Sequence, residues 1–519
     1  MHDQTVPRNS DAVIALQKFA VGQPVRRKED DSLVRGTGRY TDDVNLPGQA
    51  FAWIVRSAHA HGVIEAIDIA AAQALPGVLG VWTGADLAAA GYGAFNCGLP
   101  IRNADGSAML QTDRLPLATG KVRFVGDPVA VVVAETAAQA RDAAEAVSVD
   151  ITPLPAVTEA EAAVAADAPQ LYDHIPGNTP LHYHSGDTAA MEAAFAQAAH
   201  VVRLDLVNSR VAVVPMEPRV GVAAFDAASG RYTLYAPTQG VAGNRDSLAR
   251  LLNVPRDKVR LVTLNVGGSF GMKNASYPEY LCILHAAKAL GRPVKWLDER
   301  STSFLSDNHG RAQHVRGELA LAKDGTFLGV RITGFGNLGA YLTGVAPIPL
   351  TVNIVKNIAS VYRTPLIEVD IRCVLTNTSF LGAYRGAGRP EANYFMERLI
   401  DRAAREMKID RVALRRRNMI RPRDIPYAAA SGLTYDSGNF PAVLDRALEL
   451  ADHAGFAARR RAAKRNGLQR GIAVGCYLEV TAGPSAELGK ISFDDDGHVT
   501  ITTGTLDYGQ GHATPFAQV

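Results

Sequence analysis

The chain has 519 residues, enough for three or four domains at roughly 150 residues each. Its 47% apolar and 20% charged residues match a globular protein with a large core. A net charge of +2, sparse aromatics and no long Lys/Arg run argue against a nucleic-acid or anionic-membrane partner.

In chain order, residues 1–30 read as a polar, aperiodic tail or docking arm. Arg26-Arg27 is followed by Lys28, Glu29, Asp30 and Asp31, so it cannot open the apolar stretch of an export signal. No apolar run approaches the roughly 20 residues needed to span a bilayer. Phe51 to Arg56 and Gly62 to Asp68 read as strands, and Val129 to Ala134 is a continuous apolar run of the buried-strand kind. Thr136, three before Gln139, opens an Ala-rich helix reaching about Val147. Pro153 and Pro155 then introduce a segment, 156–185, expected to be a linker.

The next region, 186–440, starts with a helix from about Thr188 to Ala199 and a strand from Val201 to Leu206. Ser229-Gly230 joins Val220–Phe225 and Arg231–Tyr235 as a hairpin. A helix over Gly243 to Leu252, a strand over Lys258 to Val266 and a helix over Glu279 to Leu290 follow, the last stopped by Gly291 and Pro293. Arg415, Arg416 and Arg417 read as a solvated helix end. The last region, 441–519, is predicted to hold strands over Gly471 to Val480, Lys490 to Phe493 and Val499 to Thr503, with too few helices to cover their apolar faces. The four cysteines, Cys97, Cys282, Cys373 and Cys476, are far apart and contain no Cys-x-x-Cys. They predict buried free thiols in a reducing cytoplasm, with no zinc site, iron–sulfur site or disulfide framework.

Three Gly-rich segments can carry chemistry. Val266-Gly-Gly-Ser-Phe-Gly-Met-Lys273 follows a strand, and its glycines would let backbone amides approach an anion. It has neither Gly-Lys-Ser/Thr nor GxGxxG, so it is not a phosphate loop of nucleotide hydrolases or a dinucleotide turn. A tight structural turn is the alternative. Gly382-Ala-Tyr-Arg-Gly-Ala-Gly-Arg-Pro-Glu391 sets Arg385 among small residues, where its planar fork can meet a ligand; the alternative is a structural ion pair. Tyr508-Gly-Gln-Gly-His-Ala-Thr514 offers Gln510 as donor and acceptor and His512 and Thr514 as donors to phosphate, and a helix starting there would add free backbone amides. An ordinary nucleotide in these loops is a bland alternative. Pro237-Thr-Gln-Gly240 lies about 30 residues before the first of them, across a helix and a strand.

Together these segments resemble the molybdopterin-binding large subunit of the xanthine dehydrogenase and aldehyde oxidase family, in the branch near carbon monoxide dehydrogenase. The resemblance runs from about Gly36 to the last residue; Arg39 to Gly48, Val55 to His61 and Phe124 to Val129 are similar to the family's hammerhead domain. It implies a mixed α/β (α+β) fold: an α/β hammerhead domain over 31–155, then molybdopterin-binding domains over 186–440 and 441–519, the last incomplete. It implies molybdopterin, as the cytosine dinucleotide, carrying molybdenum. Gln239 matches the glutamine beside a molybdenum oxo ligand. Gly267, Gly268, Ser269, Phe270 and Gly271 match the loop around metal and pterin, and Gly509, Gln510, Gly511, His512 and Thr514 match the pterin–phosphate loop. Arg385 matches an arginine near the substrate.

Where the copper-containing carbon monoxide dehydrogenases carry a loop cysteine, this sequence has Gly386, so an aldehyde or N-heterocycle is expected rather than carbon monoxide. The resemblance implies hydroxylation with water-derived oxygen and a glutamate base. It also implies electron transfer to a [2Fe–2S] small subunit and an FAD-binding medium subunit, in a dimer of heterotrimers. The base's Gly-Glu-Pro-Gly motif does not occur in the sequence; Glu217 precedes Gln239, and Glu391 and Glu397 read as structural. The chain is therefore expected to be truncated, one half of a split subunit, or a non-catalytic cofactor-binding scaffold, and inactive alone.

Overall fold

The computed structural model describes residue 21, residues 24–480 and residues 487–519; most of the expected N-terminal tail lies outside them. Two mixed sheets carry the architecture. The larger has seven strands in the order Val259–Val262, Arg231–Tyr235, Val220–Asp226, Val294–Leu297, Ala50–Arg56, Pro128–Ala134 and Val78–Thr83. The parallel pairing of Ala50 and Phe51 with Val294 and Lys295 makes it one continuous sheet. The hammerhead strands and the strands beneath the Gly-rich loops therefore share a core.

The middle of this sheet explains the unbroken apolar run. Val131 and Val133 enter the main core, while Ala130 and Val132 pack under Ala143 and Ala144 of the helix Ala137–Glu145. Both faces are covered, so no alternation survives. The Thr136 side chain accepts from the Gln139 backbone N–H, and Gly291, at φ +62°, ends the helix Pro278–Leu290.

The second sheet has five strands, in the order Leu181–Ser185, Ile367–Leu375, Phe327–Gly339, Gln313–Leu321 and His200–Asn208. The helix Arg389–Glu406 packs across its His200–Asn208 and Gln313–Leu321 strands. Its core face carries Phe395, Leu399 and Ile400, all buried.

Three expectations need correction. The segment 156–185 is packed structure: Val157, Leu171, Tyr172 and Ile175 are buried, and Leu181–Ser185 is an edge strand. Its prolines shape loops that the core still claims. Arg415 is fully buried, donating from Nε and Nη2 to Glu397 and from Nη1 to Asp401. Burial lowers its pKa and the two carboxylates more than restore it. A charge run conceals such a residue because its partners come from another helix. Residues 471–480 alternate half-buried and exposed as a strand would, but join no ladder among the described residues. Val474, Cys476 and Leu478 pack against the main core, and the Leu478 N–H donates to Ser360 Oγ. Period-2 burial arises there without a backbone partner.

Lys490–Phe493 and Val499–Thr503 do pair, as a two-stranded sheet with Ile491 and Phe493 exposed. Among the described residues no helix is long and apolar enough to cross a membrane.

Candidate functional site

Gln239 sits between the strand Arg231–Tyr235 and the helix Val241–Leu252, and its backbone N–H donates to the Lys273 carbonyl at 2.9 Å. Its side-chain oxygen accepts from Ser269 Oγ at 2.6 Å and from the Gly271 N–H at 2.8 Å. A backbone N–H can only donate, so the group facing it is the amide oxygen. The Gln239 NH2 is left as a donor with no partner among the described residues.

The loop that does this is clamped from below. Lys273, buried, donates to the Glu217 carboxylate at 2.8 Å and to the Glu217 carbonyl at 2.9 Å. The same carboxylate accepts from the Gly267 N–H, and the Glu217 N–H donates to the Gly267 carbonyl. Burial pulls the Lys273 pKa down, opposed by Glu217. A Cβ at Gly267 would lie 2.5 Å from the Glu217 Cβ, so the close backbone approach needs glycine.

The second loop is tied to the first: the Arg385 N–H donates to the Phe270 carbonyl at 2.9 Å. Arg311 holds it from the other side, donating to the Tyr384 and Arg385 carbonyls and to the buried Glu391 carboxylate. Glu391 also accepts from the Gly388 N–H. Burial pushes its carboxyl up, with Arg311 opposing. The exposed Arg385 guanidinium has no ion pair or hydrogen bond among the described residues, so the structural-pair alternative fails.

These loops enclose a cavity of about 750 Å3 with the third. Gln239, Gly267, Gly268, Ser269, Phe270, Gly271, Arg385, Gly509 and Gln510 all line it. So do Tyr384, Arg389 and Tyr508, and no carboxylate is among its described lining residues. Two arginines and no acid suit an anionic occupant.

Gly511, His512 and Thr514 lie outside that wall. The backbone amides expected to meet phosphate are taken instead by Asp507, which accepts from the N–H groups of Gly509, Gly511 and His512. Burial raises its pKa, and those three bonds outweigh it, holding the carboxyl below its usual range. Thr514 donates from its N–H and hydroxyl to Glu29 and accepts from the Lys28 N–H. Of the donors proposed for phosphate, His512 keeps a buried, unpartnered Nδ1.

Sequence reasoning missed Glu217, Lys273, Arg311, Asp507 and Glu29, whose signals are single residues in unremarkable places. The cavity passes a test of fit for a pterin-borne metal: a fixed amide donor, the Arg385 guanidinium unpaired among the described residues, and backbone brought close by glycine.

Residues 35–155 match the family described as "Aldehyde oxidase and xanthine dehydrogenase, a/b hammerhead domain". Residues 171–419 and 446–519 each match a "Molybdopterin cofactor-binding domain". The carbon monoxide dehydrogenase large chain of Afipia carboxidovorans is 33% identical over all of this chain and 67% of its own. The chain belongs to the molybdopterin-binding large subunits of the xanthine dehydrogenase and aldehyde oxidase family. The Hydrogenophaga pseudoflava carbon monoxide dehydrogenase large chain is 34% identical, over 95% of this chain and 63% of its own. The crystal structure of quinoline 2-oxidoreductase from Pseudomonas putida 86 superposes with a TM-score of 0.89 at 34% identity, covering 96% of this chain and 64% of that one. The chain thus spans a little under two thirds of the length of such relatives.

Proposed function

We propose that this chain is the molybdenum-cofactor-binding subunit of a hydroxylase that oxidises an aldehyde or an N-heterocycle with water-derived oxygen. Gln239 and the Gly267–Gly271 segment would hold the inner side of molybdopterin, and Gly509 and Gln510 the cytosine dinucleotide side, with the Gly511, His512 and Thr514 donors joining only once Asp507 and Glu29 are displaced. When bound, that cofactor supplies a Lewis-acidic, two-electron redox centre.

The orientation of Gln239 carries the reading. Ser269 and Gly271 hold its carbonyl, so its NH2 can donate to an oxygen at the cavity centre. Arg385, unpaired and aimed from a loop fixed by Arg311, can orient a substrate carbonyl or anionic heteroatom through its fork. Gly386 favours this chemistry over that of a copper site: at φ +85° a Cβ there would lie 2.4 Å from Pro390 Cδ, leaving no room for a thiolate ligand in this loop geometry.

Proton abstraction from the attacking water needs a base within hydrogen-bond reach. The described wall has no carboxylate, so the chain alone would hold the cofactor's shell without turnover. Partner subunits carrying FAD and [2Fe–2S] would take the electrons, in a cytoplasmic dimer of heterotrimers; the four free thiols here lie too far apart in sequence to make a cluster motif.

The test is molybdenum and pterin content of the chain purified with its partner subunits after co-expression with cofactor maturation. Near-stoichiometric molybdenum is expected, and trace amounts would refute the reading. In the assembled enzyme, Arg385→Ala should keep its molybdenum while turnover falls by about a hundredfold or more. Wild-type rates in that variant would remove Arg385 from the mechanism.

A further inference from the structure

A second cavity, of about 380 Å3, backs onto the first and shares Gly271 and Ala383 with it. That volume falls in the range of small-molecule sites. Phe95, Leu99, Tyr277 and Phe380 give it apolar surface, three of them aromatic, among polar lining residues. Its central amides are already committed. The Asn244 NH2 donates to the Gly240 and Asn274 carbonyls while its oxygen accepts from Ser276. Asn308 accepts from Tyr277 Oη and donates to the Ala383 carbonyl.

Among the buried polar side chains that line it, Arg114 is the exception. It lines the cavity, is 4% exposed, and its guanidinium makes no hydrogen bond or ion pair among the described residues. Rings hold it instead: its guanidinium carbon lies 4.0 Å from the centroid of Phe380 and 5.1 Å from that of Tyr341. The carboxylate whose charge it feels most is Asp127, beyond ion-pair distance and already accepting from Tyr341 Oη and the Arg123 N–H. A buried guanidinium is ordinarily paired, because taking it out of water is costly. Here the unpaired terminal N–H groups of a fixed guanidinium line a cavity with apolar and aromatic surface beside them, the geometry that recognises a carboxylate.

We propose that this cavity binds the carboxylate of an aromatic or heteroaromatic acid, with Arg114 as the residue that selects the anion. As a statement about the enzyme's substrate class it rests on the function proposed above; as a statement about binding it needs only this chain. The ring would lie across Gly271 from the Gln239 amide.

Calorimetric titration of the full chain with pyridine-3-carboxylate and with its neutral near-isostere pyridine-3-carboxamide tests this. The carboxylate should bind about tenfold tighter or better, the size of one charge-assisted hydrogen bond. Arg114→Gln should bring the two affinities within about twofold of each other, whereas Arg250→Gln, an exposed arginine at the rim, should keep the preference. Ser247→Trp, on the helix that walls the cavity, should abolish binding of both. Should Arg114→Gln not fold, the wild-type preference together with Ser247→Trp still decides. Equal affinities, no binding of either ring, or a preference that survives Arg114→Gln or Ser247→Trp would overturn the proposal. Molybdenum content is read separately: a carboxylate preference without molybdenum sinks the proposed function alone, and molybdenum without the preference sinks this inference alone.

Discussion

The two ends of the candidate site are built differently. The inner end, formed by the Gly267–Gly271 and Arg385 loops, stands on the Glu217–Lys273 and Arg311–Glu391 pairs, with Lys273 and Glu391 each 1% exposed. The outer end, the Gly509–Thr514 loop, follows an exposed two-stranded sheet and is closed by Asp507 and by Glu29 from the far end of the chain. Buried pairs tolerate few geometries, so the inner end is ordered before any ligand arrives. At the outer end, an anion that uses the Gly509, Gly511 and His512 amides must first displace a carboxylate.

The largest effect expected from this contrast comes from Lys273→Met. It would leave the Glu217 carboxylate without its buried cation, which costs about 3–5 kcal/mol. At 2–4 °C per kcal/mol this lowers the unfolding midpoint by roughly 6–20 °C, measurable by calorimetry. A shift below about 2 °C would break the contrast, because the inner end would then not depend on its buried pair.

A smaller effect is expected from Arg311→Ala. It removes the donors to the Tyr384 and Arg385 carbonyls and leaves Glu391 unpaired, a loss of about 2–3 kcal/mol. The freed loop should also be cut faster by trypsin after Arg385. Unchanged cleavage with unchanged stability would show that the loop is held without Arg311, by its Phe270, Asn308 and Asn353 contacts.

What was legible in the sequence is what depends on neighbours along the chain. The Val129–Ala134 run, the Thr136 cap, the Gly291 stop and the glycine loops each announce themselves within a few residues, and the loops met in one cavity along with Gln239 and Arg385. What stayed hidden depends on distant partners. Lys273 and Glu217 are 56 positions apart, and Thr514 and Glu29 are 485 apart. Arg415 read as solvated because nothing near it announces Glu397 and Asp401 as its partners on another helix. The extended 471–480 segment has a strand's alternation because it crosses a packed surface, which periodicity cannot distinguish from a ladder.

The smallest effect sharpens the contrast most. Asp507→Asn should leave the global unfolding midpoint within about 1 °C, since only a local loop opens. Hydrogen-exchange protection of the Gly509, Gly511 and His512 amides should fall, because a neutral amide oxygen is a weaker acceptor than a carboxylate. In the wild type the folded-state pKa of Asp507 is lowered, so its contribution is complete above the ordinary aspartate range, near pH ~4, and is lost as pH falls through the lowered value. Protection factors corrected for intrinsic exchange should therefore drop in that acid window in the wild type and stay flat in the variant. The Gly271 amide, bonded to the neutral Gln239 side chain, has no such dependence and should hold its protection throughout. If Gly271 and Gly509 lose protection together as pH falls, the two ends open as one unit, and the inner loops are no better ordered in advance than the outer one.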